Sequence, residues 1–318
     1  MLVVTGAAGF IGSNLIVGLN KKGREDILAV DDMTDGTKFA NLVDCKLYDY
    51  QDKDAFLKKI LNNEKFPEKI EAIFHQGACS ATTEWNGKYM LENNFEYSKI
   101  LLHYCIKHKI PFIYASSAAT YGNSTTFAES PENEKPLNVY GYSKLLFDQY
   151  VRRFLSYGYC QIVGLRYFNV YGPHESHKGS MASVAFHFNN QIKEKGVLNL
   201  FKGTDGYNDG EQRRDFVYVD DITAINLWFW QNSCSSGIYN AGTGNSQTFN
   251  DVANAVIAWH GKGKIHYIDF PEQLKGRYQS FTEADITQLR REGFDHEFNS
   301  VEQGVKQYLD WLNAESSI

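Results

Sequence analysis

Five short apolar runs punctuate the first half of the chain: Leu2–Val4, Ile27–Val30, Ala72–Phe74, Phe112–Ala115 and Ile162–Arg166. Each has the length and composition of a fully buried strand. Between them, stretches such as Asp54–Leu61 and Asn94–His108 carry helical spacing. Strand–helix alternation of this kind predicts an α/β fold, a Rossmann-like doubly wound parallel sheet covered on both faces. Ligands of such sheets bind beyond the carboxyl ends of the strands. After Tyr171 the pattern changes: glycines become frequent, Lys202–Gln212 reads as a polar surface loop, and Arg214–Trp230 reads as a short strand followed by an apolar helix. The expected organisation is a dinucleotide-binding domain over residues 1–170, to which about 214–240 return. A smaller mixed α/β substrate-binding domain, partly interleaved, is expected from 171–213 and 241–318. No repeat or low-complexity segment interrupts this pattern.

Composition narrows the function. A hydrophobic share of 43% over 318 residues supplies a substantial core, and a net charge of −6 disfavours a nucleic-acid partner. No apolar run approaches the ~20 residues that span a bilayer, so no membrane partner is expected. The chain opens directly on a strand and a glycine loop, leaving no room for a targeting peptide and predicting a cytoplasmic protein. Five cysteines lack CxxC spacing and nine histidines form no ligand pair beyond His174 and His177, so no disulfide framework and no metal are expected.

Gly6, Gly9 and Gly12 follow the first strand, enclosing Phe10 and Ile11 at the start of a helix. Such a loop lets backbone approach a pyrophosphate, and the helix N-terminus offers N–H groups and a positive dipole end. Asp31, ending the second strand, is placed to accept from ribose hydroxyls. Asp32 adds negative charge, favouring NAD, whereas Lys38 and Lys53 can neutralise the 2′-phosphate of NADP; the residues alone leave that choice open. Gln76, Gly77, Ala78, Cys79 and Ser80 follow the third apolar run, with Asn93 expected to orient that loop.

Tyr140 and Lys144 are four apart at the start of a predicted helix and share one face. A phenol titrating near 10 is a weak base at neutral pH, and an adjacent ammonium together with a positive nicotinamide is expected to lower it. Ser116 and Ser117 end the fourth run, where Ser117 can hold a substrate alcohol against the phenol, or either serine can cap the following turn. Asn169-Val170-Tyr171-Gly172-Pro173 ends the fifth run and leads to Lys178-Gly179-Ser180, where Lys178 by itself reads as a solvated loop charge. Arg213 and Arg214, and farther on Arg277-Tyr278, are suited to a diphosphate.

Together these motifs resemble the extended short-chain dehydrogenase/reductase superfamily. Longer stretches are similar to the ADP-L-glycero-D-manno-heptose 6-epimerase family. They include Asp35–Phe39, Thr83–Trp85, Lys135–Lys144, Arg166–Pro173, Lys178–His187 and Leu274–Gln279. The resemblance implies a bound NADP contacted by Phe10, Ile11, Asp31, Asp32, Lys38, Lys53, Gln76–Ser80, Asn93, Lys144, Val170 and Lys178. It implies a nucleotide-sugar substrate at Asn169, Ser180, His187, Phe201, Lys202, Gly203, Thr204, Arg214 and Tyr278, and a homopentamer. The implied reaction is oxidation at C6″ to a 6-keto sugar and hydride return to its other face, with Tyr140 and Lys178 as the two acid/bases and Ser117 positioning the hydroxyl. Three features depart from the family pattern: Asp32 in place of Asn, Gln76 in place of Glu, and a longer loop at Tyr207–Gln212. A 4,6-dehydratase would need an acidic pair where Ala118-Ala119 stand, whereas a UDP-hexose 4-epimerase differs only through the longer motifs. A non-enzymatic dinucleotide sensor would lack Tyr140 or Lys144.

Overall fold

The computed structural model describes residues 1–232, 234–271 and 279–314. Strands β1 (Leu2–Thr5), β2 (Ile27–Asp31), β3 (Asp49–Asp52), β4 (Ala72–His75), β5 (Phe112–Ser117) and β6 (Ile162–Tyr167) form one parallel sheet, completed by β11 (Gly237–Ala241). The order is β11-β6-β5-β4-β1-β2-β3, with the reversal beside β1 where the chain first turns back. All five apolar runs occupy the sheet interior, as continuous apolar strands must when both faces are covered. Strand β3 reads Asp-Tyr-Gln-Asp and lies at the sheet edge, largely exposed. Its polar composition hides it from a reading by hydrophobicity, and its pairing with β2 is a tertiary fact.

Helices α1 (Phe10–Lys21), α2 (Lys53–Leu61), α3 (Gly87–Leu91), α4 (Tyr97–His108) and α5 (Val139–Arg152) make the crossovers. A π-helical turn, Glu92–Glu96, joins α3 to α4. After β6 the chain leaves the sheet through β7 (Asn169–Tyr171), α6 (Val184–Lys195), β8 (Val197–Phe201), β9 (Arg213–Arg214) and β10 (Phe216–Tyr218). It returns through α7 (Val219–Gln231), which packs on α1, and through β11. The remainder holds β12 (Gln247–Thr248), α8 (Phe249–His260), β13 (Lys264–Ile268), α9 (Thr287–Arg291) and α10 (Val301–Ala314). In this second layer β7 pairs with β10, β8 with β13 and β9 with β12, around a core of Phe188, Ile192, Val256 and Leu309. Phe10 and Val170 belong to that second core as well, so the glycine loop sits where the two layers meet. Thr248 and Asp251 close a reciprocal capping box on α8, fixing where that helix starts.

The loop at 207–212 folds onto itself. The Gly203 and Gly210 amides donate to the Asp209 carboxylate and the Phe201 carbonyl at 2.8 and 3.0 Å. Asn250 donates to the Asp209 carbonyl and the Glu211 carboxylate at 2.9 and 2.6 Å.

Candidate active site

The glycine loop forms a cradle that side chains would fill. A methyl at Gly12 would collide with the Gly6 carbonyl, and one at Gly6 would meet the Gly77 amide nitrogen at 2.6 Å. Gly6 also has φ +65°, a conformation natural to glycine. Helix α1 starts without a side-chain cap and without an acidic residue in its first turn. Its first N–H groups and dipole are therefore presented to an anion rather than satisfied by the protein. These features fit a dinucleotide pyrophosphate.

Asp31 is buried at the end of β2, and both of its oxygens already have partners. Oδ2 accepts from the Ala8 amide at 2.7 Å; Oδ1 accepts from the Asp32 amide at 2.7 Å and from Lys38 Nζ at 2.6 Å. The carboxylate thus ties the glycine loop to β2, with one acceptor site on Oδ2 left for a ribose. Asp32 accepts from the Thr34 amide at 2.9 Å, and Lys53 pairs with Asp54 at 2.9 Å. Contact with Thr34 holds the Asp32 carboxyl below its ordinary value, helped by the Lys53 and Lys38 charges. Neither lysine is a bare solvated cation.

The segment Gln76–Ser80 runs out of β4 against the glycine loop, held from behind by a relay. The Gly77 amide donates to Thr5 Oγ1 at 3.2 Å, and Thr5 meets His75 Nδ1 at 2.6 Å. His75 Nε2 meets Ser98 Oγ at 2.8 Å, and that hydroxyl donates to the Asn94 carbonyl at 2.7 Å. These directions assign the His75 proton to Nε2; burial, aided by Lys144, pushes its pKa down to about 3, so the ring is neutral. Gln76 turns its amide to Tyr167 (2.9 Å) and Asn226 (3.2 Å) instead.

Asn93 does not orient this loop. Its amide donates to the Tyr89 carbonyl at 2.9 Å, and the buried Asn94 does the work: it accepts from the Cys79 amide at 2.7 Å and donates to the Cys79 carbonyl at 2.9 Å. Both asparagines lie in the π-turn, whose wider winding shifts the inward face by a fraction of a turn relative to an α-helix. Sequence spacing alone gives no sign of it. Asn94→Ala is expected to cost about 1–3 kcal/mol by leaving the Cys79 backbone groups unpaired, and to weaken dinucleotide retention. Asn93→Ala should stay within ~0.5 kcal/mol. Urea unfolding and released-dinucleotide absorbance measure both.

Tyr140 enters on the first turn of α5, which Asn138 caps by accepting from the Gly141 amide at 2.8 Å. Helix and β5 turn are nearly in contact: a Cβ at Gly141 would stand 2.6 Å from the Ala119 carbonyl oxygen. That approach brings Ser117 beside the Tyr140 hydroxyl. Ser117 also caps its own turn by accepting from Ala119 N at 3.1 Å, so both readings of this serine hold. Ser116 faces away, donating to Asp148 at 2.9 Å. Lys144 is buried, donates to the Ala115 carbonyl at 2.7 Å, and burial lowers its pKa to about 8 against the opposing charges of Asp148 and Cys79. The expected lowering of the phenol is corrected here. Burial pushes the Tyr140 pKa up, opposed by Ser117, and the ammonium is engaged with Ala115 rather than with the phenol.

Lys178 is not a solvated loop charge. It lies 5.1 Å over the ring of Phe10, in the glycine loop, and burial lowers its pKa against Glu175. Buried Glu175 shapes this turn by accepting from the Ser183 amide and hydroxyl, both at 2.6 Å, and from the Gly172 amide at 3.3 Å. Asn14 donates to the Pro173 carbonyl at 2.9 Å, and Asn41 donates to those of Ala8 and His174 at 2.8 and 3.2 Å. His174 contacts Ser13 at 2.9 Å and His177 contacts Asn41 at 3.1 Å. His174 thus ties the turn to α1, and His177 ties it to Asn41 in the stretch between β2 and β3. The Thr82 hydroxyl reaches Met181 Sδ at 3.9 Å, closing this turn over the loop that follows Cys79.

The residues expected to meet the sugar nucleotide lie mostly on the second layer. Asn169 is exposed and accepts from Thr282 at 3.4 Å; Ser180 is exposed; His187 is half-buried beside Phe186 on α6. Phe201 ends β8 against Phe270, their ring centres 5.4 Å apart, and Lys202 pairs with Asp269 at 2.7 Å. The Gly203 amide is taken by Asp209 and the Thr204 carbonyl by Tyr207, so that stretch is an ordered turn. Arg214 is buried, 5.7 Å over Phe249, while Arg213 is held by Ser246. Tyr278, with Arg277, lies outside the described residues.

A family model described as the NAD dependent epimerase/dehydratase family matches residues 2–242. The chain belongs to this family. Among solved members of this broad group, the chain is 30% identical to the ADP-L-glycero-D-manno-heptose-6-epimerase of Helicobacter pylori, covering 98% of this chain and 96% of that one, with a TM-score of 0.85. It is 27% identical to the UDP-glucose 4-epimerase of Thermotoga maritima (99% of each chain, TM-score 0.80). It is 26% identical to the UDP-N-acetylglucosamine 4-epimerase of Methanobrevibacter ruminantium (99% of this chain, 98% of that, TM-score 0.83). As an epimerase/dehydratase, the chain is a nucleotide-sugar enzyme. Among its described residues no helix is long and apolar enough to cross a membrane.

Proposed function

We propose that the chain inverts C6″ of ADP-D-glycero-β-D-manno-heptose to the L-glycero epimer, through a 6-keto sugar, in the supply of heptose for lipopolysaccharide core. The observation that carries this reading is the Lys178 amine, shielded 5.1 Å over the ring of Phe10 in the glycine loop and so available as a proton carrier in addition to Tyr140. A bound nicotinamide dinucleotide supplies the hydride acceptor and donor, and Gly6–Gly12, Asp31 and Gln76–Ser80 would hold it. The sugar carbonyl has to present both faces in turn, so its oxygen points in two directions, and one proton carrier cannot reach both. Tyr140, steadied by Ser117, serves one direction and Lys178 the other. Burial lowers the proton affinity of the amine, toward neutral pH, and raises that of the phenol, which Ser117 opposes. Lys144 donates to the dinucleotide's ribose as well as to Ala115. Asn169, Ser180, His187, Phe201–Thr204, Arg214 and Tyr278 receive the ADP-heptose, all but Asn169 and Arg214 from the substrate domain of 171–213 and 241–318. Likeness to the heptose epimerases extends the proposal to NADP and to a cytoplasmic homopentamer. For the dinucleotide, a second reading is NAD, favoured by the 2.6 Å Asp31–Lys38 ion pair, which a 2′-phosphate would have to break.

The decisive experiment incubates ADP-D-glycero-β-D-manno-heptose with the protein and resolves the C6″ epimers by NMR. Conversion is expected; no conversion, together with turnover of a UDP-hexose, makes the protein a 4-epimerase instead. Denaturing the protein and weighing the released dinucleotide distinguishes NADP from NAD.

A further inference from the structure

Behind the Tyr140/Lys144 face lie four charged side chains that the chemistry above does not use: Asp148, Arg166, Glu134 and Arg152. Asp148 follows Lys144 by four residues and Tyr140 by eight, so the three share one face of α5. Its carboxylate is fully buried and takes three donors. Tyr114 donates to Oδ1 at 2.9 Å, and Ser116 and Arg166 Nε donate to Oδ2 at 2.9 and 3.0 Å. Glu134 accepts from both Arg166 and Arg152, closing the cluster onto the next turn of α5. Elsewhere on this helix Phe147 and Val151 pack with ordinary apolar contacts. A buried ionic cluster is a costly way to join helix to strand, and apolar side chains of similar volume often hold as well or better. Its position accounts for it. Tyr114 and Ser116 bracket Ala115, whose carbonyl receives Lys144, and Ser116 precedes Ser117, which meets Tyr140.

We propose that Asp148 is a positioning residue for the reaction. By clamping residues 114–116 against α5, it sets Ser117 at the Tyr140 hydroxyl and the Ala115 carbonyl at the Lys144 ammonium. This rests on the roles given above to Tyr140, Lys144 and Ser117. Its charge acts in the same sense. The ionisable groups bearing on Lys144 are Tyr140 and Asp148, one turn away on its own helix, neutral His75 at the end of β4 and Cys79 in the loop beyond it. Of these, Asp148 is the principal one keeping the ammonium protonated. Removing its charge lets Lys144 lose its proton at lower pH.

The test uses the full chain with its bound dinucleotide. Asp148→Asn is expected to keep its dinucleotide and a KM within about twofold of wild type, while kcat falls roughly 10- to 100-fold. The alkaline limb of kcat against pH moves down by about one unit. Asp148→Glu restores the limb but not kcat, because the charge returns without the reach. Ser116→Ala lowers kcat without moving the limb. Should Asp148→Asn fail to fold, the Ser116→Ala/Tyr114→Phe pair carries the test, with kcat falling about tenfold or more at unchanged KM. A folded Asp148→Asn protein with wild-type kcat and limb, or wild-type kcat in that pair, overturns the proposal. If wild type turns over no heptose, the functional reading fails separately. The Lys144 titration, followed by NMR of 13C-labelled lysine and assigned with Lys144→Arg, still decides this one: an unmoved midpoint in Asp148→Asn overturns it.

Discussion

Tyr140→Phe is expected to lower turnover by roughly 10²–10⁴-fold, the usual contribution of a positioned acid/base. The substitution removes one oxygen. The ring remains packed, Asn138 still caps α5 through Gly141, and Ser117 keeps its bond from the Ala119 amide. Stability should therefore change by no more than about 1 kcal/mol, and the dinucleotide should remain bound. If Lys178 serves the opposite face of the sugar, Lys178→Met lowers turnover by a comparable factor. Steady-state kinetics, with released-dinucleotide absorbance as a control, measure both variants. Wild-type turnover in Tyr140→Phe would remove the phenol from the mechanism.

Gly12→Ala is expected to give a protein without dinucleotide. The added methyl would collide with the Gly6 carbonyl, an atom of the backbone that also meets the Gly9 amide at 3.0 Å, so no flexible side chain can yield. Overpacking of this kind costs about 1–3 kcal/mol or more, and here any relief must come from moving the glycine loop or tilting α1. Either movement displaces the N–H groups meant for the pyrophosphate. Gly36→Ala is the control: nothing lies within 4 Å of its would-be Cβ and its φ is ordinary, so it should be neutral or slightly stabilising. Urea midpoints and the 260 nm absorbance of the released dinucleotide separate the two. Full cofactor content in Gly12→Ala would show that the loop can relax in a way that its packing argues against.

Ionic contacts across the candidate site are mostly engaged within the protein. Lys38 is committed to Asp31, Lys53 to Asp54 and Arg213 to Ser246. A charged ligand arriving here exchanges partners rather than meeting bare cations, which tempers affinity and sharpens selectivity. The same exchange governs the choice between NAD and NADP, because a 2′-phosphate must compete with Asp31 for Lys38.

Local sequence by itself determined the sheet, the glycine loop and the Tyr140/Lys144 pair. Each rests on short-range physics: apolar runs bury, a glycine-bearing turn between strand and helix admits a phosphate, and a four-residue spacing shares a helical face. Only the tertiary structure decided the rest. Lys178 became a shielded amine because Phe10, 168 residues earlier in the chain, lies beneath it. Asn94 displaced Asn93 because a π-turn changed the winding, and β3 joined the sheet through backbone pairing to which its polar side chains gave no clue. The phenol rose rather than fell because desolvation by the surrounding fold outweighed the contact with Ser117, while the Lys144 ammonium is turned toward Ala115. Burial and the direction of a hydrogen bond depend on what the rest of the chain brings near, and no spacing along the chain encodes that.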